Sequence, residues 1–185
     1  MRGPVARARY TGVAIALHWA IAVLIFVGFP LGLYMHDLPL SPAKLRLFSY
    51  HKWIGITVLG LGLARLLWRL GHRPPPEVPM PAWQARAASC AHVLLYVLMF
   101  AVPLSGWLMS SALGFKVVWL GVLPLPDLVG KEKALGDTLK IVHEILSKAL
   151  MAVVLLHFLA ALEHQFKRRD GLIDRMLPSF GKDPT

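Results

Sequence analysis

HEILSKALMAVVLLH, residues His143 to His157, decides how this chain folds. Its two histidines bracket a mostly apolar stretch and stand fourteen residues apart. An α-helix turns by about 100° and rises by about 1.5 Å per residue, so fourteen steps return to nearly the same face, roughly 21 Å further along. Ionisable side chains inside a membrane span are costly and need partners. In a bilayer whose hydrocarbon core is about 30 Å thick, the two residues sit near opposite ends. Histidine is a usual axial ligand of haem iron. The spacing therefore points to a transmembrane protein that holds one haem at each of two levels and passes electrons between them.

Composition agrees with a membrane class. Of 185 residues, 56% are hydrophobic, and the mean hydropathy is +0.57, too apolar for a soluble domain of this size. The single cysteine, Cys90, excludes an internal disulfide and a Cys-held iron–sulfur cluster. No C-x-x-C-H occurs, so any haem is non-covalent, of the b type. The net charge of +10 is assigned to basic residues that anchor helix ends, and no nucleic-acid partner is expected. The first apolar segment exceeds a signal-peptide core, and no small-residue cleavage site follows it. It is expected to be a retained helix.

Four apolar segments, at about 13–33, 53–70, 91–112 and 141–162, each approach the ~20 residues a spanning helix needs. The expected fold is all-α: an integral membrane four-helix bundle, one domain over residues 1–185, with two haems in its core. HDLPLSP (His36 to Pro42) separates the first two spans. HRPPPEVPMP (His72 to Pro81) separates the next two, since its prolines cannot continue a helix. The longest connection runs from Leu113 to Lys140, and KEKALGDTLK within it is expected to form a short surface helix. Orientation follows from lysine and arginine. Arg2, Arg7, Arg9, Arg65, Arg69, Arg73, Arg86, Lys167, Arg168, Arg169, Arg175 and Lys182 lie on one side. Lys44, Arg46, Lys52, Lys116, Lys131, Lys133, Lys140 and Lys148 lie on the other. Twelve against eight favours both termini in the cytoplasm.

This topology gives each histidine a depth. His51 and His143 share the outer level, while His18, His92 and His157 share the inner level. Four-helix bundles build cofactor sites from side chains on facing helices, so a bis-histidine haem at each level is geometrically natural. A hydrogen-bonded packing role is the alternative for any one histidine. A non-redox metal transporter is the other, but it would want carboxylates or several ligands at one level. The acids near the spans are Glu144 and Glu163, one at each end. Arg65, fourteen residues after His51, shares that residue's face at the inner level. It is a candidate partner for a haem propionate, or else a plain interfacial anchor. His164, seven residues after His157, is a candidate proton-handling group beside a quinone, or else a solvated interfacial histidine.

The chain resembles the bacterial cytochrome b561 family of small four-helix dihaem membrane proteins over nearly its whole length. The resemblance rests on RYTGVAIALHW (Arg9 to Trp19), HKWIG (His51 to Gly55), AHVLLY (Ala91 to Tyr96) and HEILSKALMAVVLLHFLAALEH (His143 to His164). FKRRDGLIDRMLP (Phe166 to Pro178) is also similar. The family's axial ligands fall on His18 and His157 for the inner haem b and on His51 and His143 for the outer one, which leaves His92 a non-ligand.

The resemblance implies electron exchange with membrane quinone in the bacterial inner membrane. One implied activity is oxidation of superoxide with reduction of ubiquinone. The other is a membrane anchor or quinol-oxidising cytochrome b subunit that serves a separate respiratory or periplasmic redox partner.

Overall fold

The computed structural model describes residues 9–76 and 78–178. Arg2, Arg7 and Lys182, used above for orientation, lie outside the described residues. Helix α1 spans Gly12–Asp37, α2 Pro42–Gly71, α3 Ala82–Ala112 and α4 Lys133–Glu163. All four are long and apolar enough to cross a membrane. Together they form a membrane four-helix bundle.

Each helix outruns its apolar stretch, because caps and prolines end a helix while the hydrocarbon boundary does not. Thr11 caps α1 by accepting the Ala14 N–H at 3.3 Å. Ser41 caps α2 by accepting the Lys44 N–H at 3.2 Å, with Pro42 in the first turn. At the end of α3, Phe115 N–H donates to Ser110 O at 2.8 Å and Gly114 N–H to Ser111 O at 3.0 Å. Gly114 takes φ +78°, the left-handed conformation this termination requires.

The helices run alternately up and down. α1 packs on α2, α2 on α3, and α3 on α4. A small buried centre forms where Ile21, Val58 and Met99 meet. Glycine sets the approach there: a Cβ on Gly62 would fall 2.9 Å from Met99 Cε, and one on Gly28 would fall 3.0 Å from Ile54 Cγ2. Lipid is as apolar as a leucine side chain, so close van der Waals contact between small residues holds such helices together. The opposite faces expose Val23, Phe26, Leu63 and Leu156, which suits a lipid environment.

The bundle has a hairpin end and a terminal end. The connection after α3 contains β1 (Val118–Trp119) paired antiparallel with β2 (Leu123–Pro124). Trp53 Nε1 donates to Val118 O at 2.6 Å and Trp119 Nε1 to Thr57 Oγ1 at 3.1 Å, so α2 holds this hairpin as a cap. KEKALGDTLK forms no separate surface helix. From Lys133 onward it is the first part of α4, because Gly136 seats tightly on Leu113 and continues the helix into the span.

At the other end α4 passes into a π turn, His164–Arg168, and the chain then folds back through a short 3₁₀ turn, Ile173–Arg175. That strap meets α1: Tyr10 N–H donates to Arg175 O at 3.2 Å, Trp19 Nε1 to Met176 O at 2.7 Å, and Arg9 to Leu177 O.

Candidate functional site

The alternating helices bring the histidines together in two groups. Near the hairpin end, the rings of His51 on α2 and His143 on α4 have centroids 6.2 Å apart and are mutually perpendicular at 90°. Near the terminal end, His18 on α1 and His157 on α4 are 6.3 Å apart at 76°. His143 and His157 thus each meet one partner from the first helical hairpin, fourteen residues apart along α4.

These separations suit a metal ion between the rings. A metal–imidazole bond of about 2.0 Å plus a ring radius of about 1.15 Å, counted twice, puts the centroids about 6.3 Å apart. His92 on α3 also approaches His157, at 5.5 Å and 68°, a gap that falls short of this span. Two imidazoles alone under-coordinate a bare ion, and no cluster of three or more His, Cys, Asp or Glu side chains fit for a metal occurs among the described residues. A macrocycle that supplies its own in-plane donors fits the pairs better than free zinc or iron does.

The pair near the hairpin end is oriented by backbone. His51 Nδ1 lies 3.0 Å from Gly28 O, and His143 Nδ1 lies 3.0 Å from Val102 O. A carbonyl can only accept, so each Nδ1 carries the proton and each Nε2 is left with its lone pair for a metal. Ser105, buried in α3, stands 3.0 Å from His143 Nδ1 and donates to Val102 O at 2.7 Å.

Each ring also lies over a glycine four residues beyond the carbonyl it binds. A Cβ on Gly32 would meet His51 Cε1 at 3.0 Å, and a Cβ on Gly106 would meet His143 Cε1 at 3.0 Å. The first helical hairpin and the second thus use the same device, a carbonyl and then a glycine one turn on, to seat a histidine.

At the terminal end, Arg65 is half-buried. Its Nε donates to Tyr96 Oη at 3.2 Å and its Nη1 to Ala14 O at 3.4 Å, linking α3 and α1. The other guanidinium donors remain available for an oxyanion at the level of His18 and His157. His164, half-buried, pairs with Asp170 at 2.5 Å. Burial raises the Asp170 carboxyl. The hydrogen bonds from His164 and from Leu172 N–H outweigh this, and the net effect lowers it below its ordinary value. As an ionised acceptor, Asp170 accepts a hydrogen bond from His164 Nδ1–H.

Four elements of this site escape sequence reasoning: Gly32, Ser105, Tyr96 and Asp170. Gly32 alone had a local signal, the small-residue pair four apart in GFPLG (Gly28 to Gly32).

Known proteins are similar to this chain in sequence. Residues 9–179 match the family model for prokaryotic cytochrome b561. Cytochrome b561 homolog 2 of Escherichia coli (strain K12) is 31% identical over 177 residues, 95% of this chain and 94% of its own. Probable superoxide oxidase CybB of Yersinia pestis is 29% identical, over 92% of this chain and 96% of its own. Cytochrome b562 of Cereibacter sphaeroides is 30% identical, over 91% and 94%. An apolar four-helix bundle with facing histidines, matched across nearly its full length, thus belongs to the prokaryotic cytochrome b561 family and is a bacterial membrane b-type cytochrome of electron transfer.

Proposed function

We propose that this chain is a dihaem cytochrome of the inner membrane that takes single electrons from superoxide at the hairpin end and delivers them to ubiquinone at the terminal end. The observation that carries this reading is the pair of facing histidines at each of two levels, with ring separations of 6.2 and 6.3 Å. Haem b supplies the one-electron chemistry when bound. His51 and His143 hold one haem, and His18 and His157 the other. Arg65 neutralises a propionate on the latter. His92 is a neighbour, not a ligand. The whole chain acts as one transmembrane domain.

Stoichiometry follows from the substrates. Two superoxide ions lose one electron each and leave as dioxygen. One ubiquinone gains two electrons and two protons and leaves as quinol. His164, held by Asp170, is placed to pass protons from the aqueous side to a quinone at the terminal end. With both termini in the cytoplasm, the hairpin end faces the periplasm.

Charge at that end supports an anionic donor. Lys133 pairs with Asp137 at 2.5 Å and Lys148 with Glu144 at 2.6 Å. Lys44, Arg46, Lys52, Lys116 and Lys131 form no ion pair with an acid among the described residues. A net positive field of this kind raises the encounter rate of a small anion. The printed name of the Yersinia pestis relative, a probable superoxide oxidase, agrees with this choice.

The test is single-turnover reduction of the haem-loaded full chain by superoxide, followed by addition of ubiquinone. Superoxide should reduce the protein without any protein partner, and ubiquinone should reoxidise it. The rate should fall as salt rises from about 0.01 to 1 M, because the Debye length shrinks from about 30 to 3 Å. Reduction no faster than that of a haem-exposed control refutes the superoxide assignment. Fast reduction by quinol or by a periplasmic redox protein would then identify a cytochrome subunit serving a separate partner.

A further inference from the structure

Four arginines converge on one cavity at the terminal end, between the start of α1, the end of α2 and α3. Arg9, Arg65, Arg69 and Arg73 line it together with Thr11 and Trp68. No acidic side chain among the described residues lines this cavity, and no described acid pairs with any of the four. Thr11 and Ala14 at the start of α1 line the same cavity, and the positive end of the helix dipole adds to its potential. Plain interfacial anchors would splay outward to separate waters. Here Arg65 is tied inward to Tyr96 and Ala14, and Arg9, Arg69 and Arg73 line the same cavity.

We propose that this cavity binds the phosphate of an anionic phospholipid from the adjoining leaflet. Planar guanidinium forks match phosphate oxygens in pairs, and clustered like charges are relieved only by an anion. Basic pockets between spanning helices at the membrane surface take anionic headgroups in this way. The surroundings favour a lipid over a free ion. Trp68 lines the cavity near the end of α2, and indole rings favour headgroup level. Val13, Leu67 and Leu70, on other faces of α1 and α2 at the same end, are exposed at 44%, 60% and 77%, which suits surrounding acyl chains. Arg65, assigned above to a haem propionate, closes the inner side of the cavity, so Arg9, Arg69 and Arg73 are the phosphate's partners, and the site requires neither superoxide nor quinone.

The experiment is native mass spectrometry of the haem-loaded full chain in a non-ionic detergent, titrated with phosphatidylglycerol or phosphatidylcholine. The protein should prefer phosphatidylglycerol roughly tenfold or more, as expected for two or more arginine contacts at the surface. Arg69→Gln with Arg73→Gln should abolish the preference at unchanged haem content. Arg86→Gln, an exposed arginine outside the cavity, should keep it. Arg73→Gln alone, in the loop, should weaken it without burdening the bundle. An undiminished preference in the double and single variants overturns the proposal. So does loss of haem with the lipid preference intact, which would assign the arginines to haem propionates. Inorganic phosphate that displaces the lipid at equal phosphate concentration also overturns it, by making the cavity a free-phosphate site.

Discussion

Gly106 offers a sharp test of the site near the hairpin end. A Cβ at this position would stand 3.0 Å from His143 Cε1 and 3.3 Å from His143 Nδ1. Carbon atoms rest at about 3.5–4.0 Å, so alanine must push the imidazole away by about half an ångström. The ring has little freedom to yield, because Val102 O and Ser105 Oγ hold its Nδ1 from one side. Overpacking of this kind costs about 1–3 kcal/mol. At about 1.4 kcal/mol per tenfold, haem at the His51–His143 level should bind roughly 5- to 150-fold more weakly. Valine adds two more carbons and should empty that level. The helix itself does not suffer, since Gly→Ala in a helix interior is worth about 1 kcal/mol in its favour. The assay is haem per protein by pyridine haemochrome, with reduced-minus-oxidised spectra to show which component is lost. Gly60→Ala is the control, because nothing lies within 4 Å of a Cβ there. Full haem content and an unchanged spectrum in Gly106→Val would refute the argument that His143 is a ligand seated on this glycine.

Other perturbations separate the remaining roles. His51→Ala or His143→Ala should each remove one haem and leave the other, while His18→Ala or His157→Ala should remove the opposite one. His92→Ala should keep both, and loss of haem there would make His92 a ligand. Asp170→Asn should slow quinone reduction while leaving haem content unchanged. Because the Asp170 carboxyl titrates below its ordinary value, its stabilising contact with His164 is complete above the usual carboxylate range. It is lost only as the pH falls through the lowered value. This contact should therefore outlast the usual carboxylate range as the pH falls, and a loss of quinone reduction centred near neutral pH would exclude Asp170 as the cause. Reporter fusions near Asp127 should mark the periplasm and those in the proline-rich connection after α2 the cytoplasm. The reverse pattern would invert the bundle and move the proposed donor site to the other face.

The helix count, the histidine spacing and the grouping of the histidines into two levels were legible in the amino-acid order. They depend on local properties: a run of apolar residues long enough for a bilayer, prolines that stop a helix, and a fourteen-residue interval that returns to one face. His143 and His157 share α4 whatever else the chain does. Depth alone left His18, His92 and His157 together, because it says nothing about the distance across a bundle. Only the packing of four helices separates 6.3 Å for His18–His157 from 5.5 Å for His92–His157.

Tertiary structure also decided how the rings are held. The carbonyls of Gly28 and Val102 come from helices remote in sequence from the histidines they orient. The same is true of the glycines beneath those rings and of the strap that returns past Trp19. The hairpin cap and the start of α4 at Lys133 likewise depended on long-range contacts, with Trp53 and with Leu113. A periodic pattern reports which face of a helix is occupied. Which atom of another helix meets that face is set by interhelical approach, and in lipid that approach is governed by small residues and fixed hydrogen bonds that no single segment encodes.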